Sequence, residues 1–262
     1  MEIDLSGRIA LVCGASQGIG EAIAKQFAFS GANVIVLARN EQKLQRIVTE
    51  LSSKTNQEHY YIACDVSNIT LLETKVTESL EKIGEIHILV NNTGGPPPGQ
   101  LFTSNIEQLG FAFRQHILSA QKLITLLVPK MIENKFGRII NVVSVGMREP
   151  IENLGVSNTI RGAMGSWAKT LSKELAQFGI TVNNILPGYT LTERLISLLQ
   201  QRSKEKGKTF EEEANQILHK IPARRFAKPE EIASLAVFLA SEKAGYINGT
   251  SIPIDGGFLS CI

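Results

Sequence analysis

The chain has 262 residues, fewer than two typical domains, and α/β chains of this length commonly fold around one large core. Its 27 Lys and Arg against 25 Asp and Glu leave a net charge of +2 with no tract of five or more like charges. That balance argues against nucleic-acid or membrane partners and favours small molecules. Hydrophobic residues at 43% and charged residues at 20% exclude a largely disordered chain. Cys13, Cys64 and Cys261 are far apart and form no CxxC pair, so neither a disulfide framework nor a zinc site is indicated. The start Met1-Glu2-Ile3-Asp4 is acidic where a secretory signal is basic, and apolar runs such as Val34 to Ala38 are far shorter than the ~20 residues that span a bilayer. A cytoplasmic protein is expected.

In chain order, short apolar runs alternate with longer segments of helical period. Strands are predicted at Ile9–Cys13, Asn33–Ala38, His59–Cys64, His87–Asn91, Arg138–Ser144, Thr181–Leu186 and Ser251–Ile254. Most are continuous apolar runs, the pattern of strands covered on both sides. Helices are predicted to begin near Gly18, Glu41, Ile69, Glu107, Ser157 and Pro229. In the fifth, Met164, Trp167, Ala168, Leu171 and Leu175 form one apolar stripe. The expected fold is α/β, a seven-stranded parallel sheet with helices on both faces. Thr192 to Pro222 departs from the alternation. Leu195, Ile196, Leu198 and Leu199 followed by the polar run Gln200 to Thr209 predict a helical excursion over the sheet edge, a candidate substrate lid over residues 189–222. No internal repeat or linker divides the chain, so residues 1–262 are read as one domain.

Directly after the first strand comes Gly14-Ala15-Ser16-Gln17-Gly18-Ile19-Gly20, opening a helix. Glycines there let backbone N–H groups approach a pyrophosphate, and the helix N-terminus adds donors and a favourable dipole. A glycine-rich turn without a ligand is the other reading. About 20 residues on, where an acidic side chain would hold the ribose of NAD, stand Ala38 and Arg39. An arginine pairs with a 2′-phosphate, which prefers NADP; a solvated surface arginine is the alternative. Cys64-Asp65-Val66 and Asn91-Asn92-Thr93-Gly94 close the third and fourth strands on the same sheet edge.

Through these motifs the chain resembles a short-chain dehydrogenase/reductase over essentially its whole length, in the 3-oxoacyl-acyl-carrier-protein reductase-like branch. Further matches are Gly137-Arg138-Ile139-Ile140-Asn141 leading to Ser144, Pro187-Gly188-Tyr189 with Thr192, Pro229-Glu230-Glu231-Ile232-Ala233, Phe238-Leu239-Ala240-Ser241 and Asp255-Gly256-Gly257. The resemblance implies a Rossmann-like doubly wound seven-stranded parallel sheet with helices on both faces, and a nicotinamide cofactor held by Gly14, Ser16, Gln17, Gly18, Ile19, Gly20, Arg39, Asp65, Val66, Asn92, Thr93, Gly94, Arg161, Pro187, Gly188, Thr190 and Thr192.

The resemblance also implies a catalytic Ser, a Tyr thirteen residues later, a Lys four beyond it and an Asn on the preceding long helix. Counting from Ser144, those positions hold Ser157 and Arg161; counting back from Met131, the Asn position is His116. A phenol of pKa about 10 is lowered by a neighbouring ammonium, whereas an aliphatic hydroxyl ionises far less readily and a guanidinium holds charge without relaying a proton. His116 is the one replacement that titrates near neutrality, and a packed or surface helix histidine is its other reading. Tyr189 is read as a nicotinamide neighbour or as cofactor packing, Arg148 and Glu149 as facing substrate or solvent, and the stiff Gly95-Pro96-Pro97-Pro98-Gly99 loop as a pocket wall or a surface turn. Two functions follow: an NADP(H)-dependent oxidoreductase on a carbonyl/alcohol pair with a rebuilt proton-delivery group, or an NADPH-binding sensor or assembly subunit without redox turnover. A homotetramer is expected from the resembling family's helix interface and from the apolar tail Phe258-Leu259 through Ile262.

Overall fold

The computed structural model describes residues 3–51 and 57–261; Met1 and Glu2 of the acidic start and Ile262 of the apolar tail lie outside the described residues. Seven strands, β1 (Ile9–Cys13), β2 (Asn33–Ala38), β3 (Tyr60–Ala63), β4 (Ile88–Asn91), β5 (Gly137–Val142), β6 (Ile180–Pro187) and β7 (Ser251–Ile254), form one sheet in the order β3-β2-β1-β4-β5-β6-β7. Every neighbouring pair is parallel. Successive strand residues feed two separate cores, which is why the strands read as unbroken apolar runs. Ala10, Val12, Val34 and Val36 pack with α1 (Gly18–Phe29), α2 (Glu41–Glu50) and α9 (Pro229–Ala240) on one face. Leu11, Cys13, Ile35 and Leu37 pack on the other with α3 (Ile69–Ile83), α5 (Ser119–Glu133) and α6 (Gly155–Leu175). Of the predicted stripe on α6, Ala168, Leu171 and Leu175 are buried in that second core.

The predicted bounds of β1, β2 and β7 are the observed ones, and those of the other four strands differ by one or two residues at an end. β5 stops at Val142 because Ser144 turns its hydroxyl to accept from the Gly146 N–H at 3.0 Å, capping the short 3₁₀ turn Val145–Met147. α6 starts at Gly155, two residues ahead of Ser157. A Cβ at Gly155 would lie 2.4 Å from the Leu101 nitrogen, so only glycine lets the chain pass that loop into the helix. The helix predicted near Glu107 is α4 (Ile106–Phe113), which continues through a π-helical turn, Arg114–Leu118, into α5.

The predicted excursion folds as α7 (Glu193–Lys206) and α8 (Phe210–Leu218), which share a small core of Leu195, Leu199, Ala214, Ile217 and Ile221. The buried Glu213 carboxylate binds Lys206 at 3.1 Å and ties the two helices together. A bridge between Thr190 and Ala227 closes the base of the excursion.

A row of amides crosses the sheet. Asn91, Asn141, Asn184 and Ser251 stand opposite one another on β4, β5, β6 and β7. The Asn91 amide donates to Asn141 (2.9 Å), Asn141 to Asn184 (2.9 Å) and Asn184 to the Ser251 hydroxyl (3.0 Å). The three asparagines are buried, so each bond replaces one to water. Asn141→Leu removes two of these bonds and strands a donor and an acceptor. The expected cost is about 2–4 kcal/mol, read as a lowered denaturation midpoint with unchanged m-value; a loss under about 0.5 kcal/mol would mean that the row is incidental.

Candidate active site

A cavity of about 510 Å³ opens at the carboxyl ends of the central strands, where ligands bind in open α/β sheets. All the residues expected to hold the nucleotide line it except one: Gly14, Ser16, Gln17, Gly18, Ile19, Arg39, Asp65, Val66, Asn92, Thr93, Gly94, Arg161, Pro187, Gly188, Thr190 and Thr192. Gly20 lies beneath the turn, where a Cβ would sit 2.3 Å from the Gly14 carbonyl oxygen; its role is close packing of α1 on β1. Gly14 has φ +61° and a Cβ there would meet the Asn92 carbonyl oxygen at 2.2 Å. The Asn92 amide in turn donates to the carbonyls of Cys13 and Gly14, both at 3.2 Å, clamping the turn onto the end of β4. The N-terminus of α1 carries no side-chain cap, which leaves its first N–H groups free to bind an anion.

At the end of β2 the cavity wall carries Ala38, Arg39 and Asn40, with Lys43 one helical turn on. Asn40 caps α2 by accepting from the Lys43 N–H at 2.9 Å, and the Lys43 ammonium donates to Gln17 at 2.8 Å. Asp65 faces this corner, 4.0 Å from the Arg39 guanidinium, its other oxygen held by the Ser67 N–H and hydroxyl. A glycine turn, an uncapped helix end and two cations where an acid would exclude a phosphate together fit a 2′-phosphorylated dinucleotide.

At the far end Ser144, Ser157 and Arg161 line the same cavity. Arg161 is buried and its Nη1 donates to the Val142 carbonyl at 3.0 Å. Burial, and then the charge of Arg194, pull its pKa down to about 10, so it remains a cation at neutral pH. His116 stands elsewhere. It sits in the π turn, 4% exposed, behind the cavity wall in a small void shared with Thr93 and Arg161. Its Nδ1 is 2.6 Å from the Thr93 hydroxyl. Burial, with the charges of Arg161 and Arg194 and against a bond to the Gly94 backbone, pushes its pKa down to about 3, so the imidazole is neutral at physiological pH. The side chain on the wall from this turn is Gln115.

Tyr189 lines the cavity and stacks edge-on against Phe258, ring centroids 5.4 Å apart. Arg148 and Glu149 turn away to the C-terminal segment, bonding the Ser251 carbonyl and the Ser260 N–H. Gly94 and Gly95 form part of the wall, and the loop that follows is pinned to α6 through Gly99, which exchanges backbone bonds with Asn153 and Gly155. Motif spacing had not indicated Lys43, Gln115 or Arg194, all of which line the cavity. Among the described residues no helix is long and apolar enough to cross a membrane, and no group of three His, Cys, Asp or Glu is placed to hold a metal.

Residues 14–259 match the family model described as Enoyl-(Acyl carrier protein) reductase. The chain is 31% identical over 259 residues to the NADPH-dependent reductase BacG of Bacillus subtilis (strain 168), covering 98% of this chain and 100% of that one. It is 31% identical over 263 residues to the 3-oxoacyl-[acyl-carrier-protein] reductase FabG of Aquifex aeolicus (strain VF5), covering 98% and 99%. The solved L-sorbose reductase of Gluconobacter frateurii, complexed with NADPH and L-sorbose, superposes over 100% of both chains with a TM-score of 0.94 at 31% identity. With the parallel sheet, the glycine turn and the carboxyl-edge cavity, these matches establish that the chain belongs to the short-chain dehydrogenase/reductase family, on its 3-oxoacyl-acyl-carrier-protein reductase-like branch.

Proposed function

We propose that this oxidoreductase is NADP(H)-dependent and acts on a carbonyl/alcohol pair, with Ser157 and Arg161 in place of the family's Tyr and Lys. The observation that carries the reading is one continuous cavity joining the glycine turn, the Arg39 and Lys43 corner and the Ser144, Ser157 and Arg161 end. NADPH dependence is named for the relative BacG, and the L-sorbose reductase holds NADPH. Ser16, Gln17, Gly18 and Ile19 would hold the pyrophosphate, Arg39 and Lys43 the 2′-phosphate, and Asn92, Gly94, Pro187, Gly188, Thr190 and Thr192 the nicotinamide half. The bound cofactor supplies the hydride. Ser144 and Ser157 present hydroxyls to the carbonyl oxygen, and Arg161, a buried cation one turn from Ser157, stabilises the negative charge that develops there. The neutral, buried His116 orients Thr93 through their hydrogen bond and is a positioning residue in this scheme. Residues 189–222 act as a lid, supplying Leu195 and Leu198 to the wall.

The chain assembles as a homotetramer in the cytoplasm. α4 and the turn before it leave Phe102, Ile106, Phe111 and Phe113 exposed, a cluster of large apolar side chains that a second copy would cover. Light scattering is expected to return about four times the 28.6 kDa chain mass; a monomer at micromolar concentration refutes the assembly.

Calorimetry is expected to show NADPH bound about tenfold or more tightly than NADH, and Ala38→Asp with Arg39→Ser to reverse the order. Equal affinities in the natural protein would remove the cofactor assignment. With NADPH bound, consumption is followed across a panel of carbonyl compounds. Loss of a general acid costs about 10²- to 10⁴-fold in rate, so Ser157→Tyr with Arg161→Lys should raise turnover more than either change alone, the phenol needing the ammonium to work near neutral pH. Binding with no turnover in natural and double-variant protein alike would favour the sensor or assembly subunit.

A further inference from the structure

Two guanidinium groups meet at the substrate end of the cavity without an acid between them. Arg161 comes from α6 and Arg194 from the first turn of α7, and both line the cavity. A Cβ built on Gly95 would lie 2.9 Å from Nη2 of Arg194 and 3.6 Å from Nη2 of Arg161, so the two cations face each other across one glycine. Their protein partners are neutral. Arg161 donates to the Val142 carbonyl, and Arg194 to the carbonyls of Gly95 (2.9 Å) and Pro96 (3.1 Å). Among the described residues neither arginine makes an ion pair, and Glu193, next to Arg194, is turned to Lys43 at 3.8 Å. Both pKa values are lowered, Arg161 by burial and by Arg194, Arg194 by burial; no carboxylate opposes either shift.

Two like charges this close, one of them buried, are unfavourable unless an anion joins them. The dinucleotide phosphates have their own seats on the β1 and β2 side, at the glycine turn and at Arg39 with Lys43. Arg161 is anchored at the end of β5, two strands or about 10 Å from β1. Resting on the redox reading above, we propose that the substrate is an oxo acid, its carboxylate gripped by Arg194 while Arg161, beside Ser144 and Ser157, faces the carbonyl to be reduced. Gly95 is the residue whose missing side chain makes room for both cations. Arg194 is thereby a specificity-determining residue carried by the lid, and the acid group of the substrate fixes the lid through it.

The test starts from protein saturated with NADP⁺, whose binding is measured first, so that a failure of the cofactor reading shows before any acid is added. Calorimetry then compares acetoacetate, 2-oxobutanoate and benzoylformate with their methyl esters. At least one acid is expected to bind about 10- to 100-fold more tightly than its ester, the range for a charge-assisted hydrogen bond. Arg194→Gln should abolish that preference with NADP⁺ affinity within about twofold, and Arg194→Lys should recover part of it. Steady-state NADPH oxidation should follow the same order, the loss in Arg194→Gln falling mainly on KM. Esters that bind as well as acids, a panel in which no acid binds, or an Arg194→Gln protein that loses NADP⁺ rather than the acid would each overturn the proposal, the last by assigning Arg194 to the cofactor.

Discussion

The hydrogen-bonded row Asn91–Asn141–Asn184–Ser251 sets the registration on which the rest of the molecule depends. A parallel sheet buried on both faces is built from nearly interchangeable apolar residues, so a slide of two positions between strands changes hydrophobic burial little. An amide facing a valine across the ladder would be unpaired and buried, which is a far larger penalty. The row therefore holds β4 to β7 at one height. The residue just after β4, Asn92, reaches sideways to Cys13 and Gly14 and sets the glycine turn at the same level. The strand ends beneath the cavity are thus held in one plane by side-chain amides.

Above that plane the charges are sorted. Carboxylates of the cavity mouth are already engaged: Asp65 with Ser67 and Arg39, and Glu193 with Lys43. The inner end carries cations alone. Arg161 is poor at passing protons, yet it is buried, where its charge is weakly screened. His116 illustrates the same field from the other side. Surrounded by apolar packing and facing two guanidinium groups, it stays neutral and serves through geometry.

Seven strands were legible to within one or two residues because each is an apolar run bounded by turn residues, and the glycine turn was legible because spacing and backbone chemistry coincide. Two kinds of feature were not. In the π turn Arg114–Leu118, Gln115 lines the cavity wall and His116 the void behind it, and no residue there announces a change of helical period. Lys43 and Arg194 reach the cavity by long side chains from neighbouring elements, contacts between segments far apart in sequence that no local spacing encodes. Gly155 is similar: its necessity comes from Leu101, on a separate loop.

The closed base of the excursion has an evolutionary consequence. Tyr189 and Leu191 exchange backbone bonds with Ala227, so the excursion begins and ends at one point. Its two helices carry their own core and an internal ion pair, and none of the amide row passes through them. An insertion, deletion or exchange beyond Thr192 and before Ala227 leaves strand order, glycine turn and the residues assigned to the dinucleotide untouched. Selection can therefore rewrite which molecules enter such a chain by replacing one segment while the part that handles the dinucleotide is inherited whole.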